Sequence, residues 1–257
     1  MKRFLYKDNQ YITYVEYGNP QGFPVIVQHG MIASIKSGAL FSDHFKKHAR
    51  IICLARPGYG ESSPVLMENY KEWGTIVSRL ADELSLSSFD VFASSAGAPY
   101  GYAVGCVCAG KVRNIFVFSG MPAFYDKQVQ QHWPYPIQAD LSQSDAQEIA
   151  HAMFFADASK EMLENDDVKD SIANNCFGPA QELRLRFSDW GFTPDDVKAK
   201  VYMQHSKQDE VISYRMAERT AALLPACSFE LLETGSHFSV EAYQKFIEDT
   251  ILPNIIL

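Results

Sequence analysis

Short apolar runs alternate along the chain with longer segments whose apolar residues recur at helical spacing. The runs are apolar on both faces, which is typical of strands in a parallel sheet covered by helices on both sides. The predicted strands of this kind span residues 24–30, 50–55, 89–93, 112–120, 200–205 and 228–234. The predicted helices span residues 38–48, 70–86, 100–110, 214–224 and 240–251. This alternation predicts an α/β fold with a mostly parallel, doubly wound sheet.

The N-terminal segment departs from this alternation because no helix separates its first two predicted strands. Residues 3–6 and 11–17 flank the tight turn Lys7-Asp8-Asn9-Gln10. Strands joined by a tight turn pair antiparallel, whereas parallel neighbours need a long crossover. We therefore expect an antiparallel N-terminal edge on the sheet.

The middle of the chain, residues 122–197, has no strand pattern. It contains helical patterns at 146–155, 160–163, 168–174 and 180–187 and is rich in aromatic residues and methionine. We expect an inserted helical cap here, with residues 1–121 and 198–257 forming the core domain. Most of the aromatic residues should pack in the interior, and a few should line an apolar pocket.

Charge and composition exclude several partner classes. The formal net charge is −8 and no run is rich in lysine or arginine, so neither nucleic acid nor an anionic membrane is expected as a partner. The N-terminus lacks the apolar core of a signal peptide. No stretch approaches the roughly 18 uninterrupted apolar residues of a membrane span. The expected localisation is cytoplasmic.

The five cysteines form an odd, scattered set. Cys106 and Cys108 lie two residues apart on a predicted helix and so point to different faces, which is poor spacing for a metal site. We expect reduced, mostly buried thiols and no metal ion. The set is Cys53, Cys106, Cys108, Cys176 and Cys227.

The third of the buried strands runs into a helix through small residues only. Ser95 lies at this junction, which forces it into strained backbone geometry, and its neighbours Ala93 and Gly97 let strand and helix approach. Ser94 is the competing serine, but centring the motif there puts the bulky Phe92 at a flanking position. Small residues also follow a strand where a helix simply packs close to a sheet, so this motif needs support from elsewhere in the chain.

A serine hydroxyl becomes a strong nucleophile only when a base takes its proton and an acid supports that base. Asp209 follows the strand at 200–205, and His237 follows the strand at 228–234 with Gly235 before it. Alone, Asp209 could be a turn residue, or the adjacent Glu210 could take its role, and His237 alone could be an ordinary surface or core histidine. The chain order Ser95, Asp209, His237 is what favours them as a set. No other histidine follows a final strand with a glycine before it; the others are His29, His44, His48, His132, His151 and His205.

These motifs resemble the α/β-hydrolase superfamily. The segment around Ser95 is similar to the nucleophile elbow in its Ser-x-Gly-x-Pro-Tyr variant, common in esterase-like members, with Ala93 replacing the usual glycine. The loop at 56–63 resembles the family's Asp-x-Pro-Gly-x-Gly-x-Ser loop, with Ala55 where aspartate is frequent. The replacement of that aspartate by Ala55 affects the stability of the loop more than the chemistry. The resemblance implies an α/β-hydrolase fold with a helical cap.

The resemblance also implies residue roles. Ser95 would be the nucleophile, His237 the general base and Asp209 the acid that orients the imidazole. The backbone N–H groups of Met31 and Ala96 would form the oxyanion hole. The histidine of the pair at 29–30 would be mainly structural.

The activity implied is that of a serine hydrolase acting on a small carboxylic ester or a related acyl compound, with no cofactor. An amidase or aminopeptidase, a thioesterase and a C–C hydrolase share the same triad. A hydroxynitrile lyase or a non-catalytic small-molecule receptor are further alternatives. The expected partner is a small acyl substrate, and the chain is expected to be a monomer or homodimer.

Overall fold

A computed structural model describes residues 1–256 and contains one eight-stranded sheet with the strand order β1-β2-β4-β3-β5-β6-β7-β8. β1 pairs antiparallel with β2 and β2 antiparallel with β4, while all other neighbours are parallel. This confirms the mostly parallel sheet with an antiparallel N-terminal edge. The strands are β1 (Lys2–Lys7), β2 (Gln10–Gly18), β3 (Phe23–Gln28), β4 (Ala49–Leu54), β5 (Phe89–Ser94), β6 (Val112–Phe118), β7 (Lys200–Ser206) and β8 (Cys227–Leu232).

Helices cover both faces of the sheet, as a doubly wound fold requires. One buried cluster joins the sheet to α2, α3 and α8, and a second joins it to α1, α9 and α10. Each fully buried aliphatic or aromatic side chain contributes about 1.5–3 kcal/mol to the stability of these layers. The helices outside the middle region are α1 (Asp43–His48), α2 (Tyr70–Glu83), α3 (Ala98–Val107), α8 (Tyr214–Leu223), α9 (Val240–Phe246) and α10 (Leu252–Ile255).

Capping groups set where several helices begin. The helix predicted from residue 38 begins only at Asp43, because the Ser42 side chain accepts a hydrogen bond from the Phe45 amide and so caps it there. Asn69 caps α2 in the same way. The helix predicted over 240–251 is divided, because a π-helical turn at Ile247–Ile251 separates α9 from α10.

Between β6 and β7 the chain contains α4 (Lys127–Gln130), α5 (Gln143–Phe154), α6 (Lys160–Glu164) and α7 (Asp166–Leu185). α7 covers two predicted helices, and its backbone is non-helical from Ala173 to Cys176. Asn174, Asn175 and Cys176 all have left-handed φ values, a conformation that asparagine tolerates better than most residues. α5 and α7 share a separate buried cluster. No helix within residues 1–256 is long and apolar enough to cross a membrane.

The topology brings four loops to one edge of the sheet. β3, β5, β7 and β8 are mutually parallel, so the loops after their carboxyl ends lie on the same side. These loops contain the residues singled out in the sequence. The candidate site therefore lies at the carboxyl edge of the sheet.

Candidate active site

Ser95 occupies a sharp turn between β5 and α3. It has a left-handed φ of 49°, which is strained for a residue with a side chain. A Cβ atom on Gly97 would lie 2.3 Å from the carbonyl oxygen of Gln28, so only glycine lets the helix approach β3 so closely. The Ser95 carbonyl accepts a 2.8 Å hydrogen bond from the Met121 amide, which fixes the turn from the other side.

The alanine that replaces the usual glycine before the nucleophile is accommodated by the helix. A Cβ atom on Gly101 would lie 3.0 Å from the Cβ of Ala93, so the space for this methyl group comes from Gly101. Ser94 still has extended backbone geometry and ends the strand. The strained position is thus at Ser95, as the sequence pattern predicted.

The structure brings Ser95, His237 and Asp209 into one hydrogen-bonded chain. The Ser95 Oγ lies 2.9 Å from His237 Nε2, and His237 Nδ1 lies 2.8 Å from Asp209 Oδ2. Because a carboxylate only accepts, Nδ1 carries the proton and Nε2 is free to accept one from the serine. The imidazole of His237 and the carboxylate of Asp209 are both buried.

Asp209 is held ionised by several donors. Its Oδ1 accepts hydrogen bonds from the amides of Val211 (2.9 Å) and Ile212 (2.8 Å). Burial alone would raise the pKa of Asp209, but the contact with His237 and the Ile212 amide hold that pKa below its usual value. The adjacent Glu210 contacts the backbone instead, because its Oε2 accepts from the His237 amide at 3.1 Å. Asp209, not Glu210, therefore faces the imidazole.

A second histidine contacts Asp209, and the sequence reasoning did not assign it a role. His205 Nε2 lies 2.9 Å from the Ile212 carbonyl oxygen and 3.3 Å from Asp209 Oδ2. Because a carbonyl only accepts, Nε2 carries the proton and shares it between the two oxygens. Burial lowers the pKa of His205, so it is neutral at pH 7. The sequence feature that could have identified His205 is its position four residues before Asp209.

The other histidine near the site, His29, is fixed as a neutral structural group. Its Nδ1 donates to the Gly30 carbonyl at 2.7 Å, and its Nε2 accepts from the Arg56 amide at 3.3 Å. Burial and the nearby Arg56 guanidinium lower the pKa of His29 well below its usual value. Both ring nitrogens are occupied, so His29 has no nitrogen left to act as a base towards Ser95.

Arg56 connects the loop after β3 to α7. Its guanidinium donates to the carbonyls of His29 (2.5 Å) and Gly30 (2.9 Å) and pairs with Glu182, which also accepts from the Tyr59 hydroxyl at 2.7 Å. The Tyr59 hydroxyl lies 2.7 Å from the Met31 carbonyl oxygen as well. Sequence reasoning missed this network because Arg56 and Glu182 are 126 residues apart.

Ser95 and His237 line a cavity of about 810 Å³, within the usual range for small-molecule sites. Its wall is mainly apolar, and several of the apolar residues that line it are exposed to solvent. Cys53 also lines the cavity, but burial raises the pKa of this thiol to about 12, so it is not a thiolate near neutral pH. The exposed apolar residues are Leu40, Tyr135, Met153, Val211, Phe238 and Val240.

The cysteines and the side chains that could bind a metal bear on the thiol and metal sites considered in the sequence. All five cysteines are free thiols. Within residues 1–256, no group of three or more His, Cys, Asp or Glu side chains is arranged to hold a metal ion.

Comparison with solved structures identifies the fold of this chain. No protein-family model and no curated protein matches the sequence. An esterase from Exiguobacterium antarcticum has a TM-score of 0.69 and 18% identity over 96% of each chain. An enol-lactonase from Burkholderia xenovorans has a TM-score of 0.68 and 13% identity over 95% of this chain and 98% of its own. A carboxylesterase from Bacillus subtilis has a TM-score of 0.65 and 14% identity over 99% of this chain and 91% of its own. At these identities the likeness concerns the three-dimensional fold, and the chain has the α/β-hydrolase fold.

Proposed function

We propose that this protein is a serine hydrolase that cleaves a small carboxylic ester or a related acyl compound. The observation that carries the proposal is the hydrogen-bonded chain from Ser95 Oγ through the His237 imidazole to Asp209, placed at a mainly apolar cavity. A serine in a strained turn, hydrogen-bonded to an imidazole that a carboxylate orients, is the arrangement that acyl transfer needs. Structural neighbours named as an esterase and a carboxylesterase agree with it.

The geometry supports a two-step reaction. Ser95 Oγ attacks the acyl carbonyl carbon while His237 Nε2 takes the hydroxyl proton, and Asp209 stabilises the imidazolium that forms. Collapse of the tetrahedral intermediate expels the alcohol, which receives the proton from His237, and leaves an acyl group on Ser95. Water then attacks this acyl-enzyme, with His237 again acting as base and then acid. The carboxylic acid leaves and the serine hydroxyl is restored.

The oxyanion of each tetrahedral intermediate needs fixed N–H donors, and we assign them to Met31 and Ala96. The Gly30 carbonyl points to Arg56, and in a trans peptide the N–H of the next residue points the opposite way. A Cβ atom on Gly30 would lie 3.7 Å from that of Ser95, so this peptide is next to the nucleophile. Ala96 follows Ser95 directly in the turn that leads into α3. Losing one such donor costs about 2.7–4 kcal/mol of transition-state stabilisation.

Residues 122–197 act, in this proposal, as a cap that forms part of the substrate pocket. Side chains from α5, α7 and the segment before α5 line the same cavity as Ser95. The apolar side chains of this segment would therefore determine which acyl group fits. They include Trp133, Tyr135, Leu141, Met153, Leu183 and Phe187.

The test is a hydrolysis screen of p-nitrophenyl esters from acetate to dodecanoate, combined with labelling by a fluorophosphonate probe. Wild type should hydrolyse at least the short esters and be labelled, and Ser95→Ala should lose both properties. Ser94→Ala is the matched control, because Ser94 also lines the cavity but has ordinary extended backbone. An unlabelled wild type, or labelling that disappears in Ser94→Ala and persists in Ser95→Ala, would contradict the proposal.

A further inference from the structure

Arg186 is a cationic side chain on the wall of the cavity that contains Ser95. It caps the C-terminal end of α7, and Leu183 and Phe187 of the same helix end line the cavity beside it. Residues three and four positions apart share a helix face. The end of α7 therefore presents one positive group on a mainly apolar wall that also carries the carboxylates of Asp167 and Glu210.

The guanidinium of Arg186 has no protein counter-charge in contact with it. Its Nε is buried without a hydrogen-bond partner. None of the ion pairs formed within residues 1–256 includes Arg186. Burial lowers the pKa of Arg186, which reflects the cost of holding this charge away from water. Arg186 as a whole is half-buried and its Nε is enclosed, and a partly desolvated cation that stays unpaired costs stability unless something else pairs with it.

Within residues 1–256 no carboxylate forms an ion pair with Arg186, although Glu182 lies close enough to raise the pKa of Arg186. Glu182, one turn earlier, uses Oε1 to pair with Arg56 and Tyr59. Asp167 and Glu210 also line the cavity, but each accepts a backbone amide, from Ser34 (2.7 Å) and His237 (3.1 Å) respectively. The terminal Nη groups of Arg186 therefore remain available to a ligand in the cavity.

We infer that Arg186 binds a carboxylate group of the substrate, so that the preferred substrates are esters whose acyl chain ends in a carboxylate. The guanidinium presents paired N–H donors that match the two oxygens of a carboxylate. The apolar wall formed by residues such as Met31, Leu183 and Phe187 suits the hydrocarbon part of such a chain. This inference rests on the proposed function and specifies its substrate class.

A competing arrangement uses the same side chain without a ligand. Glu182 Oε2 is buried and has no hydrogen-bond partner, so a rotation of Arg186 could pair the two side chains along α7. Arg186 would then support the helix and would have no donor left for a substrate. If Arg186 binds the substrate, replacing it weakens the preference for charged over neutral esters. If Arg186 pairs with Glu182 instead, replacing it leaves that preference unchanged.

The experiment compares p-nitrophenyl half-esters of adipic to sebacic acid with p-nitrophenyl alkanoates of matched chain length. Shorter half-esters are avoided because their own carboxylate attacks the ester intramolecularly. The quantity measured is the ratio of kcat/KM for the charged ester to kcat/KM for the neutral one. Arg186→Gln should lower this ratio by about tenfold to a hundredfold, the usual effect of a lost charge-assisted hydrogen bond.

Arg215→Gln is the matched control because it removes the same charge from an exposed position on α8. It should leave the ratio within about threefold of wild type, since exposed charges are screened. If the glutamine variant does not fold, Arg186→Met, which keeps the aliphatic stem, replaces it. A ratio that falls less than about fivefold in the Arg186 variant, or falls as much in Arg215→Gln, overturns the inference.

Failure of this inference is distinguishable from failure of the proposed function. Hydrolysis of the neutral esters and labelling of Ser95 by the fluorophosphonate probe report on the proposed function alone. If wild type shows both and the ratio does not depend on Arg186, only the carboxylate site is wrong. If wild type shows neither, the serine hydrolase proposal itself fails.

Discussion

The buried ion pair between Arg56 and Glu182 predicts a large loss of stability for Glu182→Gln. The two side chains are only 1% and 2% exposed, and no other ion pair within residues 1–256 includes Arg56. Glutamine keeps the shape of glutamate and a carbonyl oxygen that can accept from Tyr59, but it removes the negative charge. Arg56 would then remain buried without a counter-charge.

The size of the effect follows from this burial. Removing one partner of a buried pair destabilises a protein by about 3–5 kcal/mol. For a chain of this length each 1 kcal/mol corresponds to about 2–4 °C in Tm. The Tm of Glu182→Gln should therefore fall by roughly 6–20 °C. The kcat on a neutral ester should fall too, because Arg56 holds the carbonyls of His29 and Gly30 beside the proposed oxyanion hole.

The assay is thermal unfolding followed by circular dichroism at pH 7, with urea denaturation as a second measure of the free energy of unfolding. Glu61→Gln is the control, because Glu61 forms an exposed ion pair with Arg3 at 3.0 Å. Exposed pairs contribute about 0–1 kcal/mol, so this Tm should fall by no more than about 4 °C. If Glu182→Gln is no less stable than Glu61→Gln, the charge of Glu182 is not what stabilises Arg56.

Three further changes test the site. Asp209→Asn should lower kcat on the best neutral ester by about 10⁴-fold, the effect of the corresponding change in a serine protease, and a loss below tenfold would contradict the role given to Asp209. Gly97→Ala should lower the Tm and the rate of fluorophosphonate labelling, because the added Cβ would lie 2.3 Å from the Gln28 carbonyl oxygen. Gly110→Ala is the control, because nothing lies within 4 Å of its added Cβ. Equal Tm values and labelling rates in the two variants would refute the packing argument. Burial lowers the pKa of His205 in the folded chain. As the pH drops below about 6.5, this histidine therefore binds a proton in the unfolded chain but not in the folded one. The free energy of unfolding should fall over that range. His205→Gln should remove up to about 1.4 kcal/mol per pH unit of that slope in urea denaturation between pH 7 and pH 5.5, and an unchanged slope would show that His205 does not cause it.

The sequence predicted the sheet and the position of the strained serine because both depend on local patterns. Apolar runs and helical spacing identified the strands and helices, whereas the order of the strands in the sheet came from the structure. The small residues around Ser95 indicated the turn, since only glycine at 97 fits against β3. Asp209 and His237 were found by their positions after the final strands. The structure places these three residues in hydrogen-bonding contact, and their catalytic roles stay predictions.

Only the tertiary structure decided which charges are buried and what they contact. Arg56 pairs with Glu182 across 126 residues of sequence, and no local pattern records that approach. The proton that His205 shares with Asp209 depends on how the loop after β7 folds back. Arg186 looks like an ordinary helical arginine until the packing of α7 places it on the cavity wall without a partner. The physical reason is that secondary structure follows from periodicity along the chain, whereas burial and pairing of a charge follow from which distant segments meet.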